Sequence, residues 1–423
     1  MTPEHRPNNS ETTESTDASS PPGVGIRSHS VHDKAPTTSA HQIDADGHAH
    51  AVGLASLGWN DRVAALLAEH DGEGEPARVV RVDNTHLYVN TGSRSLQIPL
   101  ALLPRRWRDA ASGRPTTGDW LLVDTANEPA TIDSVLPRWS LLARSDALGR
   151  SEQLLAANVD VVLIVQGLDR PLKPGRIERS MALAWEAGAT PVIVLTKADL
   201  DPTSKHAKRA TADLATIAPN VEVIVTSSVT GSGLDSLRRL IAPGITAALV
   251  GESGAGKSTL VNALVGAPVQ ATADVREGDA KGRHTTTARD LIPLPGGGVV
   301  IDTPGLRSLG LWDTHEGVAS VFADLEELAD RCRFPDCEHR TEPGCAILAA
   351  VEASTVDPAR VERWLRYIDE LEEAEQRRAA RGHLEQHEHR GVTPQASTRP
   401  RGSSRRPGGP GPRSRRGSGR RRS

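Results

Sequence analysis

The pattern of hydrophobic and polar positions divides the chain into segments of different character. Residues 1–55 are rich in Ser, Thr, Pro, Asp and His with few aliphatic side chains, so they predict a disordered extension that cannot bury enough apolar area to fold. Residues 56–70 carry leucine and valine at helical spacing, and we expect a helix or an ordered lead-in there. Residues 381–423 are polar again, with arginine interspersed among Gly, Ser and Pro, and predict a disordered tail.

Short runs of alternating hydrophobic and polar residues dominate residues 76–145, and turn signals separate them. Several strands at such spacing predict a small all-β domain, and an OB-type β-barrel fits its size. Because the open face of such barrels commonly binds oligonucleotides, we expect RNA contact, with a solvated basic face as the alternative. Trp107 is a candidate for stacking on a base, whereas Trp120 and Trp139 are expected in the core. The arginines in or near these strands are Arg78, Arg81, Arg94, Arg105, Arg106 and Arg108.

Longer apolar runs alternate with amphipathic ones in residues 150–312. The run VDVVLIVQGL (159–168) predicts a strand that is buried on both faces, as in a parallel sheet. Strands that alternate with helices indicate an α/β fold, and nucleotide sites in such folds lie at the carboxyl ends of the strands. The polar motifs that follow these apolar runs are therefore the candidates for chemistry.

The stretch GESGAGKST (251–259) fits the phosphate-loop pattern G-x-x-x-x-G-K-[ST] at every fixed position. A strand candidate precedes it and an amphipathic helix follows it, which lets backbone N–H groups and a helix N-terminus face phosphate oxygens. We expect Lys257 to reach the β- and γ-phosphates and the Ser258 hydroxyl to bind Mg²⁺. The predicted contacts in this loop are Gly251, Glu252, Ser253, Gly254, Ala255, Gly256, Lys257, Ser258 and Thr259.

Two strand ends upstream carry TKAD (196–199) and TSS (226–228). The first resembles the guanine-reading motif N-K-x-D of GTPases, and the second resembles its usual companion. A carboxylate at Asp199 can accept hydrogen bonds from N1–H and the exocyclic amine of guanine, and it would be left unpaired by adenine. We expect Lys197 to lay its stem along the purine. The predicted guanine contacts are Thr196, Lys197, Ala198, Asp199, Ser227 and Ser228.

Two motifs follow the phosphate loop. GRHTTT (282–287) has no regular periodicity, as expected of a mobile switch loop, and a hydroxyl from Thr286 or Thr287 is predicted to join Mg²⁺. In DTPG (302–305), Asp302 is expected to bind Mg²⁺ through water and the Gly305 N–H to sense the γ-phosphate.

The residue after DTPG is Leu306, where Ras-type enzymes place the glutamine that orients water. Because an apolar side chain cannot orient water, hydrolysis needs another polar group. His284 in the switch loop is the predicted catalytic residue, since a neutral imidazole can accept a proton. The alternative roles for His284 are a solvated loop residue or an RNA contact.

All three cysteines of the chain lie in RCRFPDCEHRTEPGC. Their spacing, C-x4-C-x-H-x5-C, supplies three thiolates and one imidazole, a full tetrahedral set for one structural zinc ion. The predicted ligands are Cys332, Cys337, His339 and Cys345. Amphipathic helices flank this cluster, so residues 313–380 predict a small helical zinc-binding domain. Three thiols in a core beside an unrelated histidine are the alternative.

Bulk properties narrow the setting of the chain. Its 423 residues predict two or three domains, and the three cysteines exclude a disulfide framework and indicate a reducing compartment. No apolar run approaches the roughly 18 residues of a membrane span, and the N-terminus has no signal-peptide core. We therefore expect a cytoplasmic protein without membrane contact. The tail from residue 399 onward holds ten arginines and no acidic residue, which predicts salt-sensitive RNA affinity.

The order of the motifs is informative, because TKAD and TSS precede the phosphate loop, GRHTTT and DTPG, whereas ordinary GTPases run the other way. With the upstream barrel and the downstream Cys/His cluster, this circular permutation resembles the ribosome small-subunit-dependent GTPases of the RsgA family. The resemblance covers about residues 76–370. Thr196 departs from the asparagine that the family usually has, and predicts a weaker guanine affinity.

The resemblance implies a multidomain chain in which an OB-type barrel precedes a circularly permuted P-loop GTPase domain and a helical zinc-binding domain. It implies hydrolysis of GTP to GDP and phosphate, stimulated by the small ribosomal subunit during its late maturation. The implied partners are that subunit and its rRNA, the cofactors are one zinc ion and Mg²⁺ with GTP, and a monomer is expected.

An alternative function is a nucleotide-gated RNA-binding module in which hydrolysis is incidental. An ATPase is disfavoured by Asp199. In either case, DTPG leads within about 25 residues into the zinc-binding segment, so loss of γ-phosphate contacts could shift that segment directly.

Overall fold

The computed structural model of the protein describes residues 53–108, 113–145, 152–270, 289–302 and 315–391. The predicted extension before residue 53 and the arginine-rich segment after residue 391 lie outside the described residues. The last helix continues past residue 381, where we expected the disordered tail to begin. The reason is local, because proline and serine become frequent only after residue 391.

The N-terminal β-module is antiparallel and follows a short helix. Asn60 caps this helix, since its side chain accepts a hydrogen bond from the Val63 N–H at 3.1 Å. The strands that the alternating runs predicted pair in the order β5-β4-β1-β2-β3. The elements are α1 (Asp61–Ala68), β1 (Glu75–Val82), β2 (His86–Asn90), β3 (Ser95–Pro99), α2 (Arg105–Arg108), β4 (Trp120–Asp124) and β5 (Thr131–Val135).

A two-stranded hairpin, β6 (Leu141–Ser145) and β7 (Glu152–Ala157), connects the β-module to the next sheet. The sequence patterns did not predict it. Its end is tied to the β-module by Asn158, whose side-chain amide donates to the Gly118 carbonyl oxygen at 3.1 Å.

The nucleotide-binding part is a sheet whose strand order is β10-β9-β8-β11-β13-β12. All neighbours are parallel except β12, which runs antiparallel to β13. Alternate residues of the central strands face two separate hydrophobic clusters, so the sheet is buried on both faces as predicted. The elements are β8 (Val161–Gly167), α3 (Pro174–Glu186), β9 (Thr190–Thr196), α4 (Lys205–Ile217), β10 (Glu222–Val225), α5 (Leu234–Leu240), β11 (Thr246–Gly251), α6 (Lys257–Val265), β12 (Arg289–Pro293) and β13 (Val299–Asp302).

The two sheets are continuous, because β1 of the β-module pairs with β12. The pairing is antiparallel and matches Arg81 with Asp290 and Val82 with Arg289. It yields a single sheet of eleven strands. The strand that directly follows the predicted switch loop is therefore hydrogen-bonded to the β-module.

The C-terminal helices cover one side of the nucleotide-binding sheet. The first of them approaches α3 closely at Gly317, where a Cβ would lie 2.2 Å from the Ala182 carbonyl oxygen. Phe322 and Tyr367 contact each other with ring centroids 5.7 Å apart. Within the described residues, no helix combines the length and the apolar character needed to cross a membrane. These helices are α7 (His315–Val321), α8 (Ala323–Ala329), α9 (Ala346–Glu352) and α10 (Pro358–Gly391).

Candidate nucleotide site and metal centre

The phosphate-loop sequence forms the turn between β11 and α6, as its pattern predicted. Gly251 has a φ of +149°, and a Cβ there would lie 2.4 Å from the carbonyl oxygen of Val165 on β8. Gly256 has a φ of +95° and immediately precedes α6. These two positions need glycine because of backbone conformation and close strand approach. The N-terminus of a helix then points into the loop, which suits an anion.

Lys257 folds back over this loop. Its ammonium group donates to the carbonyl oxygens of Gly251 at 2.7 Å and Glu252 at 2.9 Å. The ammonium group, which carries three donors, is thus held at the loop, where a phosphate group could accept from it. Ser258, the predicted Mg²⁺ ligand, is the second residue of α6 and follows Lys257 directly.

The two guanine motifs meet at the ends of β9 and β10. The Ser227 hydroxyl donates to Oδ1 of Asp199 at 2.6 Å, and the Ala198 N–H donates to the Thr226 carbonyl oxygen at 3.1 Å. The same Ser227 oxygen accepts from the N–H of Thr230 at 3.1 Å. The Ser227 hydroxyl therefore orients the Asp199 carboxylate, and the Thr230 N–H in turn holds that hydroxyl in place.

Thr196 joins the guanine motif to the phosphate loop. It is 2% exposed, and its hydroxyl lies 2.5 Å from the Ala255 carbonyl oxygen and 3.2 Å from that of Gln166. A buried hydroxyl needs such a partner, and Thr196 finds it in the loop itself. The residue that departs from the family pattern thus makes a direct contact between the two motifs.

Asp302 ends β13 and is buried. Its register partner on β11 is Leu249, two residues before the phosphate loop, so Asp302 lies at the strand end beside that loop. A hydroxyl at Ser258 and a carboxylate at Asp302 are hard oxygen ligands of the kind that Mg²⁺ prefers. The other predicted switch residues lie outside the described residues: His284, Thr286, Thr287, Gly305 and Leu306.

A charged loop after β8 also reaches the phosphate loop, and the sequence patterns did not single it out. Glu252 accepts from Lys173 and from Arg176, each at 2.7 Å. The hydrogen bond from Lys173 and the charge of Arg176 hold the pKa of the Glu252 carboxyl below its usual range. A signal was available, since the charged run LDRPLKPGR follows a strand that is buried on both faces, at the edge where nucleotides bind.

The cysteines and the histidine of the C-terminal motif converge, with all four ligand atoms within 4.8 Å of one another. Cys332 Sγ lies 3.4 Å from His339 Nδ1 and 3.9 Å from Cys345 Sγ. A tetrahedron with zinc–sulfur bonds of about 2.3 Å has sulfur–sulfur edges of about 3.8 Å, so the donor set fits that ion. The cluster offers four donors, as the spacing of Cys332, Cys337, His339 and Cys345 predicted.

Neighbouring groups hold this cluster in shape. The Ala346 N–H donates to Cys332 Sγ at 3.3 Å, which favours a thiolate. Glu342 accepts hydrogen bonds from the N–H groups of Glu338, Arg340 and Thr341, and these bonds lower the pKa of its carboxyl to about 2. The turn that presents His339 is therefore pinned by one carboxylate.

Comparison with known proteins identifies the family. A sequence model of the family described as RsgA GTPase matches residues 135–312. The small ribosomal subunit biogenesis GTPase RsgA of Streptomyces coelicolor is 45% identical over 329 residues, which cover 76% of this chain and 88% of that protein. Its namesake in Streptomyces avermitilis is 46% identical over 323 residues, covering 75% and 85%. This chain belongs to the RsgA GTPase family.

Solved structures agree with the fold of this RsgA-family GTPase. The crystal structure of YjeQ from Thermotoga maritima matches with a TM-score of 0.52 and 25% identity, covering 70% of this chain and 98% of that one. YloQ, described as a circularly permuted GTPase, matches with a TM-score of 0.50 and 21% identity, covering 72% and 97%. The circular permutation is confirmed. The phosphate-loop strand β11 follows β8, β9 and β10 in the chain, although it lies between β8 and β13 in the sheet.

Two expectations about RNA contact in this RsgA-family chain were wrong. Trp107 is 8% exposed and packs into the hydrophobic core of the β-module, with the Arg106 guanidinium over its ring at 4.4 Å. Arg78 is fully buried, where it bonds to the Leu57 carbonyl oxygen and to the Thr246 hydroxyl at 2.9 Å. Burial lowers the pKa of Arg78 to about 9. Neither side chain can meet an RNA at the surface.

The remaining aromatic and basic predictions for the β-module have mixed outcomes. Trp120 is buried as expected, and its ring meets Trp59 edge-on at 5.2 Å. Trp139 is half-buried against the same cluster. Arg94 and Arg106 are exposed, although Arg94 pairs with Glu75 at 2.7 Å and Arg106 donates to the Asp133 carbonyl oxygen at 3.1 Å.

Proposed function

We propose that this chain hydrolyses GTP to GDP and phosphate under stimulation by the small ribosomal subunit, late in the maturation of that subunit. The GTP state controls its release from rRNA. The observation that carries the proposal is the bond from Thr196 to Ala255, which holds a guanine motif against a phosphate loop. Relatives 45% and 46% identical are named small ribosomal subunit biogenesis GTPase RsgA.

Each motif has a role in this reaction. Asp199 accepts from N1–H and the amine of guanine, and its bond from Ser227 keeps the carboxylate facing one way. The backbone of residues 251–259 and the Lys257 ammonium bind the phosphates. Gly305 senses the γ-phosphate through its N–H. His284 orients the attacking water. It takes the role of the glutamine of Ras-type enzymes, whose position here holds Leu306.

Mg²⁺, when bound with the nucleotide, supplies positive charge to the phosphate oxygens. Ser258 and Asp302, together with Thr286 or Thr287, are the residues that would hold it. Cys332, Cys337, His339 and Cys345 would hold one zinc ion, which stabilises the fold of the C-terminal segment. Thiolate ligands need a reducing compartment, which supports action in the cytoplasm. A monomeric state stays a prediction that sedimentation of the purified chain tests.

GTP hydrolysis by the full chain, with and without purified small subunits, tests the proposal. We expect GTP to be hydrolysed in preference to ATP, and the subunits to raise the rate. His284→Ala should abolish the stimulated rate while GTP affinity is unchanged, because a group that acts on water contributes little to ground-state binding. His206→Ala, at an exposed position on α4, is the matched control.

The alternative, an RNA-binding module gated by nucleotide occupancy, gives a different result. In that case release from the small subunit would not depend on turnover, so wild type and the His284→Ala variant would dissociate at the same rate in the presence of GTP. A variant that loses turnover and stays bound in the presence of GTP, while wild type is released, supports the hydrolase instead.

A further inference from the structure

The loop after β8 carries a charged pair, Asp169 and Arg170, that lies between the two halves of the nucleotide site. On one side, Asp169 Oδ2 accepts a hydrogen bond from the Lys197 ammonium of the guanine motif at 2.8 Å. Within the pair, Arg170 Nη2 lies 3.3 Å from the same carboxylate oxygen. The bonds from Lys197 and Arg170 outweigh burial and hold the pKa of Asp169 below its usual range.

On its other side, Arg170 contacts the phosphate loop. Its Nη1 donates to the Ser253 carbonyl oxygen at 3.2 Å, and its Nη2 donates to that of Gly254 at 3.4 Å. Nη1 also lies 3.5 Å from the Glu252 carboxylate. An uninterrupted chain of polar contacts thus runs from Lys197 through Asp169 and Arg170 to the loop.

These contacts suit a positioning role. An anion-binding loop works when its N–H groups face the anion, and its carbonyl groups then need partners elsewhere. Arg170 is such a partner for two consecutive carbonyls. Because a trans peptide points its N–H opposite to its C=O, a Ser253 carbonyl held by Arg170 turns the Gly254 N–H away from Arg170. The planar guanidinium can hold two acceptors at once, which a lysine ammonium does with less directional control.

The same pair of residues also positions Lys197. Its backbone lies in the left-handed region with φ +63°, and its long side chain would otherwise sample many rotamers. The bond to Asp169 fixes the ammonium, so the aliphatic stem is held in place before any purine arrives. Fixing a contact in advance lowers the entropy lost on binding.

We propose that Asp169 and Arg170 form a bridge that positions the phosphate loop and Lys197 together, so that the base and phosphate contacts are made as one unit. This inference rests on the proposed function, since it concerns the same nucleotide. The bridge acts on binding of guanine nucleotides and leaves the reacting atoms to other residues. Asp169 and Arg170 are therefore positioning residues for the nucleotide.

Calorimetric titration of the full chain with GDP tests the bridge without ribosomes or hydrolysis. Arg170→Gln and Asp169→Asn should each weaken GDP binding about tenfold, the effect of losing a hydrogen bond to a charged group. Arg170→Lys should fall between wild type and Arg170→Gln. The double variant should bind no more weakly than the worse single variant, because both changes break one chain of contacts.

Arg238→Gln is a matched control. Arg238 also pairs with a carboxylate, Asp235 at 2.9 Å, and donates to a backbone carbonyl, Ala263 at 3.0 Å, but at the far end of α6 from the phosphate loop. It should bind GDP like the wild type. With small subunits present, Arg170→Gln should raise KM for GTP and leave kcat within about twofold, as expected for lost uniform binding.

A GDP affinity of Arg170→Gln and Asp169→Asn within twofold of wild type would overturn the bridge and leave the proposed function intact. Purely additive effects in the double variant would also overturn it. A wild-type chain that binds no guanine nucleotide overturns both. Thermal unfolding of each variant, with Arg170→Lys as the milder change, separates weakened binding from loss of fold.

Discussion

Arg363 on α10 donates from Nε to both carboxylate oxygens of Glu178 on α3, at 2.9 and 3.0 Å. The Glu178 side chain is fully buried, and the Tyr367 hydroxyl lies 3.3 Å from it. Burial raises the pKa of the Glu178 carboxyl despite these partners. A buried ionic contact thus attaches the C-terminal helix α10 to α3 of the nucleotide-binding part. Helix α3 also carries Arg176, which pairs with Glu252 of the phosphate loop.

Arg363→Ala should therefore destabilise the chain strongly. Removal of Arg363 leaves the buried Glu178 carboxylate with only the more distant Arg360 guanidinium, at 3.9 Å, and breaking a buried ion pair costs about 3–5 kcal/mol in other proteins. Urea unfolding at neutral pH measures the loss. Arg366→Ala, at an exposed position on the same helix, should change the free energy of unfolding by less than about 0.5 kcal/mol. Equal effects of the two substitutions would contradict the assignment.

The Thr196 hydroxyl gives a second prediction. Thr196→Val removes the hydroxyl at nearly constant volume and leaves the Ala255 and Gln166 carbonyls without that donor. We expect about fivefold to tenfold weaker GDP binding, since an unpaired buried acceptor costs about 1–3 kcal/mol. Thr196→Ser keeps the hydroxyl and should bind GDP nearly as well as wild type. Weak binding by the serine variant would show that the methyl group, and not the hydrogen bond, matters.

Asp83 in the turn between β1 and β2 predicts a dependence of stability on pH. Burial alone would raise its pKa, but bonds from the N–H groups of Thr85 and His86 and from the Tyr88 hydroxyl lower it to about 2. The carboxylate therefore stabilises the fold above its unfolded pKa of about 3.9, and the contribution disappears as pH falls towards 2. Asp83→Asn should be less stable than wild type at pH 6.

The measurement for Asp83 is urea unfolding of both proteins between pH 6 and pH 3. The difference in the free energy of unfolding should be constant above pH 5 and should narrow below pH 4. A difference that stays constant to pH 3 would mean that the lost carboxylate acts through packing.

Zinc removal should act first on the C-terminal segment. The His339 ring lies 5.3 Å from the Trp364 ring, so loss of the ion should change the fluorescence of that tryptophan. Cys337→Ser should lower the zinc content below one ion per chain, measured by mass spectrometry of the purified protein. If the switch after β13 is coupled to this segment, the same variant should show weaker stimulation by small subunits; full stimulation would contradict the coupling.

The arginine-rich tail gives a prediction from sequence. Deletion of residues 399–423 removes ten cations and should weaken binding to small subunits at low salt, with a shallower dependence of affinity on salt concentration. Filter binding at several salt concentrations measures the slope. An unchanged slope would exclude RNA contact by the tail.

Local signals predicted much of the nucleotide site. KSTLVNALV forms α6 from Lys257 to Val265 as expected, because glycine conformation and helical periodicity are readable from neighbouring residues. The bridge could not be predicted in this way, since Lys197 and Ser253 lie 28 and 83 residues from their partners Asp169 and Arg170. The prediction that Trp107 stacks on a base was wrong for the same reason. The adjacent arginines indicated a surface position, but packing against strands distant in sequence buries the ring.

The pairing of β1 with β12 can form only late in synthesis of the chain. The partners Arg81 and Asp290 are about 200 residues apart, so at about 5–20 residues per second β12 is made some 10–40 seconds after β1. During that interval the Arg81–Val82 end of this β1 edge has open hydrogen-bonding groups, whereas residues 75–78 pair with β4, and open edges attract other strands. In a nascent chain this part of the edge stays unpaired until β12 is synthesised. An amino-terminal fragment that ends before β12 would keep it unpaired.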